Sequence, residues 1–213
     1  MKSLIGIFIL LCVFFTPVSA NEKSNILVMG DSLSAGYGIQ INESWPALLQ
    51  SELDLKKQPY RVHNASISGQ TSSEGVRQIE QLLTLTKPEL VILELGANDG
   101  LRGLSITEMT SNLQTIIHKS LMAKAKVLLI GIKVPANYGR RYSSMFEASF
   151  KQLATKNGIP LLPFMLEPLM EIVTPDNKSQ FIQVDGLHPT AKAQPYILKY
   201  MMPTILASLS NSQ

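Results

Sequence analysis

Cysteine is almost missing from this sequence. The single one, Cys12, sits in an apolar N-terminal run. Everything beyond that run lacks a thiol, which excludes disulfide bracing, thiolate catalysis and cysteine-based metal centres there. Histidine is nearly as scarce: His63, His118 and His188 stand far apart, and no two have the spacing of zinc ligands. The net charge is only +3, charged residues make up 16%, and no basic run occurs, so nucleic-acid binding finds no support. No stretch reaches the about 20 consecutive apolar residues that a membrane-spanning helix requires. Internal repeats, low-complexity tracts and linkers are absent as well. What remains is 213 residues with 45% hydrophobic content, enough for one domain with a sizeable core.

The first twenty residues read separately. Lys2 provides a short positive start, Leu4 to Phe15 is apolar throughout, Thr16-Pro17 breaks the run, and Val18-Ser19-Ala20 ends it with small residues. This is the pattern of a secretory signal peptide. Residues 1–20 are therefore predicted to be a signal peptide cleaved after Ala20. Residues 21–213 form the mature domain, periplasmic or secreted, with no stable membrane span after cleavage. Cys12 does not suit a lipoprotein site, because Leu11 precedes it and the apolar run continues past it.

Along the rest of the chain, short apolar runs alternate with helical patterns. Strands are predicted at 25–29, 60–65, 89–95, 126–132 and 159–164. Helices are predicted at 43–55, 72–85, 106–123, 141–157 and 189–209, the last kinked or divided by Pro195 and Pro203. Such alternation implies an α/β domain with a parallel sheet between helices. In open sheets of this kind ligands bind beyond the carboxyl ends of the strands.

Four loops then carry four different reagents. Gly30-Asp31-Ser32-Leu33-Ser34-Ala35-Gly36 follows the first strand and offers a hydroxyl at a tight corner, although a helix-capping serine in a glycine-rich turn reads the same way. Ser66-Ile67-Ser68-Gly69 offers a backbone N–H unobstructed by a side chain. Gly96-Ala97-Asn98-Asp99-Gly100 offers an amide. Both of these are ordinary turn compositions. Asp185-Gly186-Leu187-His188-Pro189 offers a carboxylate and an imidazole three residues apart, or else an aspartate-capped helix entry. Acyl transfer needs this set together: a hydroxyl to attack, a base held by a carboxylate, and fixed donors for the oxyanion.

At this point the blocks GDSLSAG, SISGQTSS, GANDG and DGLHP resemble, in order and spacing, those of the SGNH (GDSL) hydrolases. The runs SWPALL, ELGANDGLRG and PANYGRRY are similar to the Gram-negative periplasmic branch that acts as thioesterase, arylesterase and lysophospholipase. The resemblance implies a three-layer α/β/α sandwich on a five-stranded parallel sheet. It implies Ser32 as nucleophile, His188 as general base and Asp185 as its orienter, with the oxyanion held by the Ser32 and Gly69 N–H groups and the Asn98 amide. It further implies a small-molecule acyl ester or thioester substrate, no metal or cofactor, and a monomer. Ala97 and Gln70 depart from the usual glycine and acidic residue.

Other candidates read as structural. Asp31 neighbours Ser32, points the other way in extended chain and is expected to brace the loop. Asp99 is expected to do likewise, Trp45 to lie in the core, and His118 on a helix surface. The loop at 136–142 either lines the substrate site or is a solvated entry to a helix. Two alternatives to an acyl-ester hydrolase remain: a carbohydrate O-deacetylase with the same site, and a non-catalytic acyl-binding domain.

Overall fold

The structure, a computed structural model, describes residues 23–210, so the expected signal peptide lies outside the described residues. Five strands form one parallel sheet in the order β2-β1-β3-β4-β5. They are β1 (Ser24–Gly30), β2 (Tyr60–Asn64), β3 (Leu90–Glu94), β4 (Lys126–Ile130) and β5 (Leu161–Leu162). The helices are α1 (Ser32–Ala35), α2 (Trp45–Leu55), α3 (Ser72–Thr86), α4 (Ala97–Leu101), α5 (Ile106–Met122), α6 (Arg140–Asn157), α7 (Glu167–Ile172), α8 (Lys178–Phe181) and α9 (Gln194–Ser210).

The central strands are apolar on both faces because both faces are covered. Alternate residues separate cleanly. Leu27 and Met29, Val91 and Leu93, and Val127 and Leu129 pack under α3, α5 and α6 with Ile79, Leu113, Ile116, Phe146 and Phe150. Ile26 and Val28, Leu90 and Ile92, and Leu128 and Ile130 pack under α2, α7 and α9 with Trp45, Leu49, Leu169, Ile197, Met201 and Ile205. Each face buries a continuous apolar layer, so the three-layer α/β/α sandwich with five parallel strands is as expected. Trp45 is fully buried, also as expected, and its backbone N–H donates to the buried Gln194 side chain (3.0 Å), which joins α2 to α9.

Some boundaries differ from those predicted. The fifth strand is two residues rather than six, because Pro160 and Pro163 flank it and neither can donate to a ladder. The terminal helix starts at Gln194, not Pro189, after a short 3-10 turn at Ala191–Ala193. Nor is it divided: Pro195 falls in its first turn, where no N–H is missed, and Gln194–Ser210 continues through Pro203. The short helices α1, α4, α7 and α8 were not foreseen.

The chain leaves β1 to one side for β2 and to the other for β3. The reversal opens a crevice at the carboxyl ends of β1 and β3, where a doubly wound sheet binds its ligand.

Candidate active site

β1 ends at Gly30, and two groups demand that residue. A Cβ there would stand 2.7 Å from both the Glu94 carboxylate and the Ser34 hydroxyl. The chain then turns at once into α1. Asp31 is the N-cap, its side chain accepting from the Leu33 N–H, and Gly36 closes the turn in the left-handed region at φ +76°. Ser32 is thus the first helical residue, half-buried, with its own N–H lacking an acceptor among the described residues.

Asp185 and His188 lie on the loop before α9. Asp185 Oδ1 accepts from the N–H groups of Leu187 (2.9 Å) and His188 (3.0 Å). Gly186 at φ +74° permits this tight turn. The same carboxylate, through Oδ2, accepts from His188 Nδ1 at 2.6 Å. The hydrogen bonds from the two backbone amides, His188's first, and then that from the imidazole pull the Asp185 carboxyl down to about 2. An ionised partner at Nδ1 makes that nitrogen the donor. Nε2 is then the acceptor, and it receives the Ser32 hydroxyl at 2.8 Å. The structure therefore brings three of the predicted residues into one hydrogen-bonded line, across a sequence separation of 156 for the Ser32–His188 contact.

Of the two predicted donors, Asn98 lines the same cavity as Ser32 and His188, and Gly69 precedes Gln70, whose carbonyl Asn98 holds. Gly69 has φ +81°, its carbonyl accepts from Arg102 Nη2 (2.8 Å), and its N–H has no acceptor among the described residues. Asn98 lies on α4, and its Nδ2 donates to the Gln70 carbonyl (3.1 Å) and to Asp31 Oδ2 (3.3 Å). Ala97 needs no positive φ, because the left-handed excursion falls on Gly96 at φ +125°. Asp99, as expected, is structural: it is buried and accepts from the Ser72 N–H and hydroxyl at 2.8 and 2.6 Å, capping α3. Asp31 likewise braces the corner rather than contacting His188 by a hydrogen bond.

Sequence reasoning missed Glu94. It ends β3, is fully buried, and accepts from the Ser34 hydroxyl at 2.7 Å and the Asp31 N–H at 3.4 Å. Burial, reinforced by the Asp31 carboxylate, holds its carboxyl well above the usual range, which favours the protonated form. Burial likewise pushes Asp31 up to about 6. The signal was available, since a lone carboxylate inside a strand buried on both faces has to be accounted for. Also missed was the Tyr37 ring, which packs on the His188 imidazole with centroids 4.6 Å apart.

From Ser32 and His188 a cavity of about 1060 Å³ extends over the ends of β4 and β5. Its walls are largely apolar: Ala97 and Leu101 on α4, Ile132, Val134 and Pro135 after β4, Phe164 after β5, and Leu166, Leu169, Met170 and Val173 around α7. Arg140, Ser143 and Ser144, at the start of α6, also line it, so the loop at 136–142 serves both as a helix entry and as an approach to the site. His118 is exposed on α5, away from this cavity.

Comparison with known proteins identifies the family. A family model described as GDSL-like Lipase/Acylhydrolase family matches residues 28–194. The chain is 42% identical over 200 residues to an arylesterase of Vibrio mimicus, covering 93% of this chain and 97% of that protein. It is 42% identical over 182 residues to thioesterase 1/protease 1/lysophospholipase L1 of Escherichia coli K12, covering 85% and 83%. The crystal structure of the psychrotrophic esterase EstA from Pseudoalteromonas, inhibited by monoethylphosphonate, superposes with a TM-score of 0.82 at 41% identity, covering 89% of this chain and all of that one. The fold, the four sequence blocks and these matches agree, and the chain belongs to the GDSL-like lipase/acylhydrolase family of ester hydrolases.

Proposed function

We propose that this chain is an exported serine hydrolase that cleaves acyl esters and thioesters through a Ser32-His188-Asp185 triad and an acyl-enzyme. The observation that carries this reading is the continuous hydrogen-bonded line from the Ser32 hydroxyl through the imidazole to Asp185, at 2.8 and 2.6 Å. Ser32 Oγ attacks the substrate carbonyl carbon while its proton passes to His188 Nε2. The carbonyl π pair moves onto oxygen, and the imidazolium is stabilised by ionised Asp185. The oxyanion is met by the unoccupied Ser32 and Gly69 N–H groups and by Asn98 Nδ2, which exchanges its 3.3 Å bond to Asp31 for one to the oxyanion. Collapse expels the alcohol or thiol, which takes the proton from His188. Water then repeats the sequence on the acyl-serine and releases the acid, restoring Ser32.

The apolar cavity favours an acyl chain over a sugar. An acetyl group attached to a carbohydrate would leave most of about 1060 Å³ of greasy wall unfilled, and sugar hydroxyls would face Leu, Ile and Phe side chains. Aryl esters, lysophospholipids and acyl thioesters all present the apolar group and the reactive carbonyl that such a site would take. A pure binding domain has no use for a hydroxyl, a base and a buttressed carboxylate in line.

The test is hydrolysis of para-nitrophenyl esters from acetyl to palmitoyl by the protein and by Ser32→Ala. The variant should lose activity by about three orders of magnitude or more while folding normally, since removal of one triad member leaves only the modest catalysis of the oxyanion donors. Comparable turnover by both proteins would refute the triad. A preference for acetylated sugars over every longer ester would favour the deacetylase.

A further inference from the structure

The loop that bears Asp185 and His188 is mostly at the surface. Val184, Asp185, Gly186 and Leu187 are all exposed, and a single side-chain hydrogen bond joins His188 to Ser32. That contact alone is too little to hold an exposed loop in one place. The loop is closed on itself by backbone bonds: Gln183 N–H to the His188 carbonyl (2.8 Å), Gly186 N–H to the Gln183 carbonyl (3.0 Å), and the bridge between Ile182 and Pro189. These bonds fix the loop's shape but not its position relative to the serine.

Gln183 supplies the position. Its Nε2 carries two hydrogens and donates both, to the Pro189 carbonyl (2.9 Å) within its own loop and to the Tyr37 carbonyl (2.7 Å) across the crevice. Tyr37 is in turn indexed on the nucleophile, since its N–H donates to the Ser32 carbonyl at 3.1 Å. Its ring covers the imidazole. The neighbouring Gly38 lies at φ +74°, and a Cβ there would stand 2.2 Å from Gln183 Oε1, so the backbone leaves space for this one amide. Two carbonyls from two loops converge on it. An ionised glutamate has no donor for either, methionine has none, and asparagine is a methylene too short.

We propose that Gln183 is a positioning residue that sets the Ser32–His188 distance by clamping the base loop to the backbone of the nucleophile loop. This rests on the triad reading above. Gln183 touches no reacting atom. It acts through the placement of His188, which matters most at the transition state.

The experiment compares the full chain with Gln183→Met, which keeps length and loses both donors, and with Gly38→Ala, whose methyl displaces the amide. The readouts are kcat and KM on para-nitrophenyl butyrate, melting temperature, and the rate and stoichiometry of Ser32 labelling by a para-nitrophenyl alkylphosphonate. Gln183→Met is expected to lower kcat and the labelling rate about 10- to 100-fold, the scale set by a misplacement of about 1 Å. KM should stay within about twofold, and labelling should still reach one phosphonyl group per chain. Gly38→Ala should show at least this defect, with added backbone strain at φ +74°, and the double variant should be no worse than Gly38→Ala alone, because the clamp is already lost there. If Gln183→Met does not fold, Gly38→Ala carries the comparison. Wild-type labelling rates in both variants, or losses that multiply in the double variant, would overturn the clamp. Failure of the wild type itself to label at Ser32 would overturn the triad instead.

Discussion

Two carboxyl groups buried side by side under the nucleophile corner, Asp31 and Glu94, hold the corner's polar groups. Glu94 receives Ser34 and the Asp31 N–H, and Asp31 receives Leu33 N–H and the Asn98 amide. Burial and the neighbouring carboxylate both raise Glu94, which disfavours two adjacent buried charges. The pH consequence follows from Asp31, whose carboxyl titrates near 6 when folded against 3.8 in its ordinary state. Between about pH 4 and 6 the folded chain holds a proton on Asp31 that the unfolded chain has lost, so Asp31's contribution falls as pH rises through that window and levels off above it, while Glu94, raised by the same burial, adds a decline of the same sign. Asp185 works the other way. Its carboxyl is lowered to about 2, so its contribution is present above the ordinary 3.8 and lost as pH falls through the native value. Melting temperature measured from pH 4 to 7 should therefore decline in the wild type and decline less steeply in Asp31→Asn, which keeps the Glu94 part of the slope. Parallel slopes in the two proteins would mean that another group carries the dependence.

Among the elements, the β4–β5 edge controls the cavity. Gly131 follows β4, its N–H donates to the Leu162 carbonyl at 2.8 Å, and a Cβ on it would lie 2.3 Å from the Pro163 carbonyl. That obstacle is backbone and cannot rotate away. Gly131→Ala should push the last strand outward and destabilise the protein by about 1–3 kcal/mol, the usual cost of overpacking. For a domain of this size that is a loss of roughly 2–12 °C in melting temperature by calorimetry. An unchanged melting temperature would show that the edge yields freely. The same edge shows where the sequence could be read and where it could not. β1, β3 and β4 were legible because each is a block of Val, Ile, Leu and Met bounded by turn residues, and α3, α5 and α6 because their apolar residues repeat at helical spacing. β5 was overestimated because Ile159, Leu161, Leu162 and Phe164 look like a strand until the prolines between them are asked for hydrogen bonds. The helix α7, which closes the cavity with Leu169 and Met170, is too short to show a period. The triad residues were legible as a set of reagents. Glu94, Tyr37 and Gln183 were not singled out, because their importance lies in neighbours 60, 151 and 146 residues away, a relation no local pattern records.

At the scale of the whole molecule, two apolar layers enclose one sheet, and among the described residues no helix is long and apolar enough to cross a membrane. The apolar run from Leu4 to Phe15 lies outside the described residues and is proposed to direct export and then be removed. Produced in a Gram-negative host, the full chain should yield a periplasmic protein beginning at Asn21, as read by intact mass and N-terminal sequencing. Leu10→Arg should hold the precursor in the cytoplasm. An N-terminus still at Met1 in the periplasmic fraction would contradict cleavage.

The 156 residues that separate Ser32 from His188 also set a clock. Ribosomes add about 5–20 residues each second, so the imidazole is made roughly 8–30 s after the hydroxyl it activates. Through that interval the nascent chain carries a serine with no base beside it, and the chemistry is withheld until the last layer of helix has been delivered to the sheet.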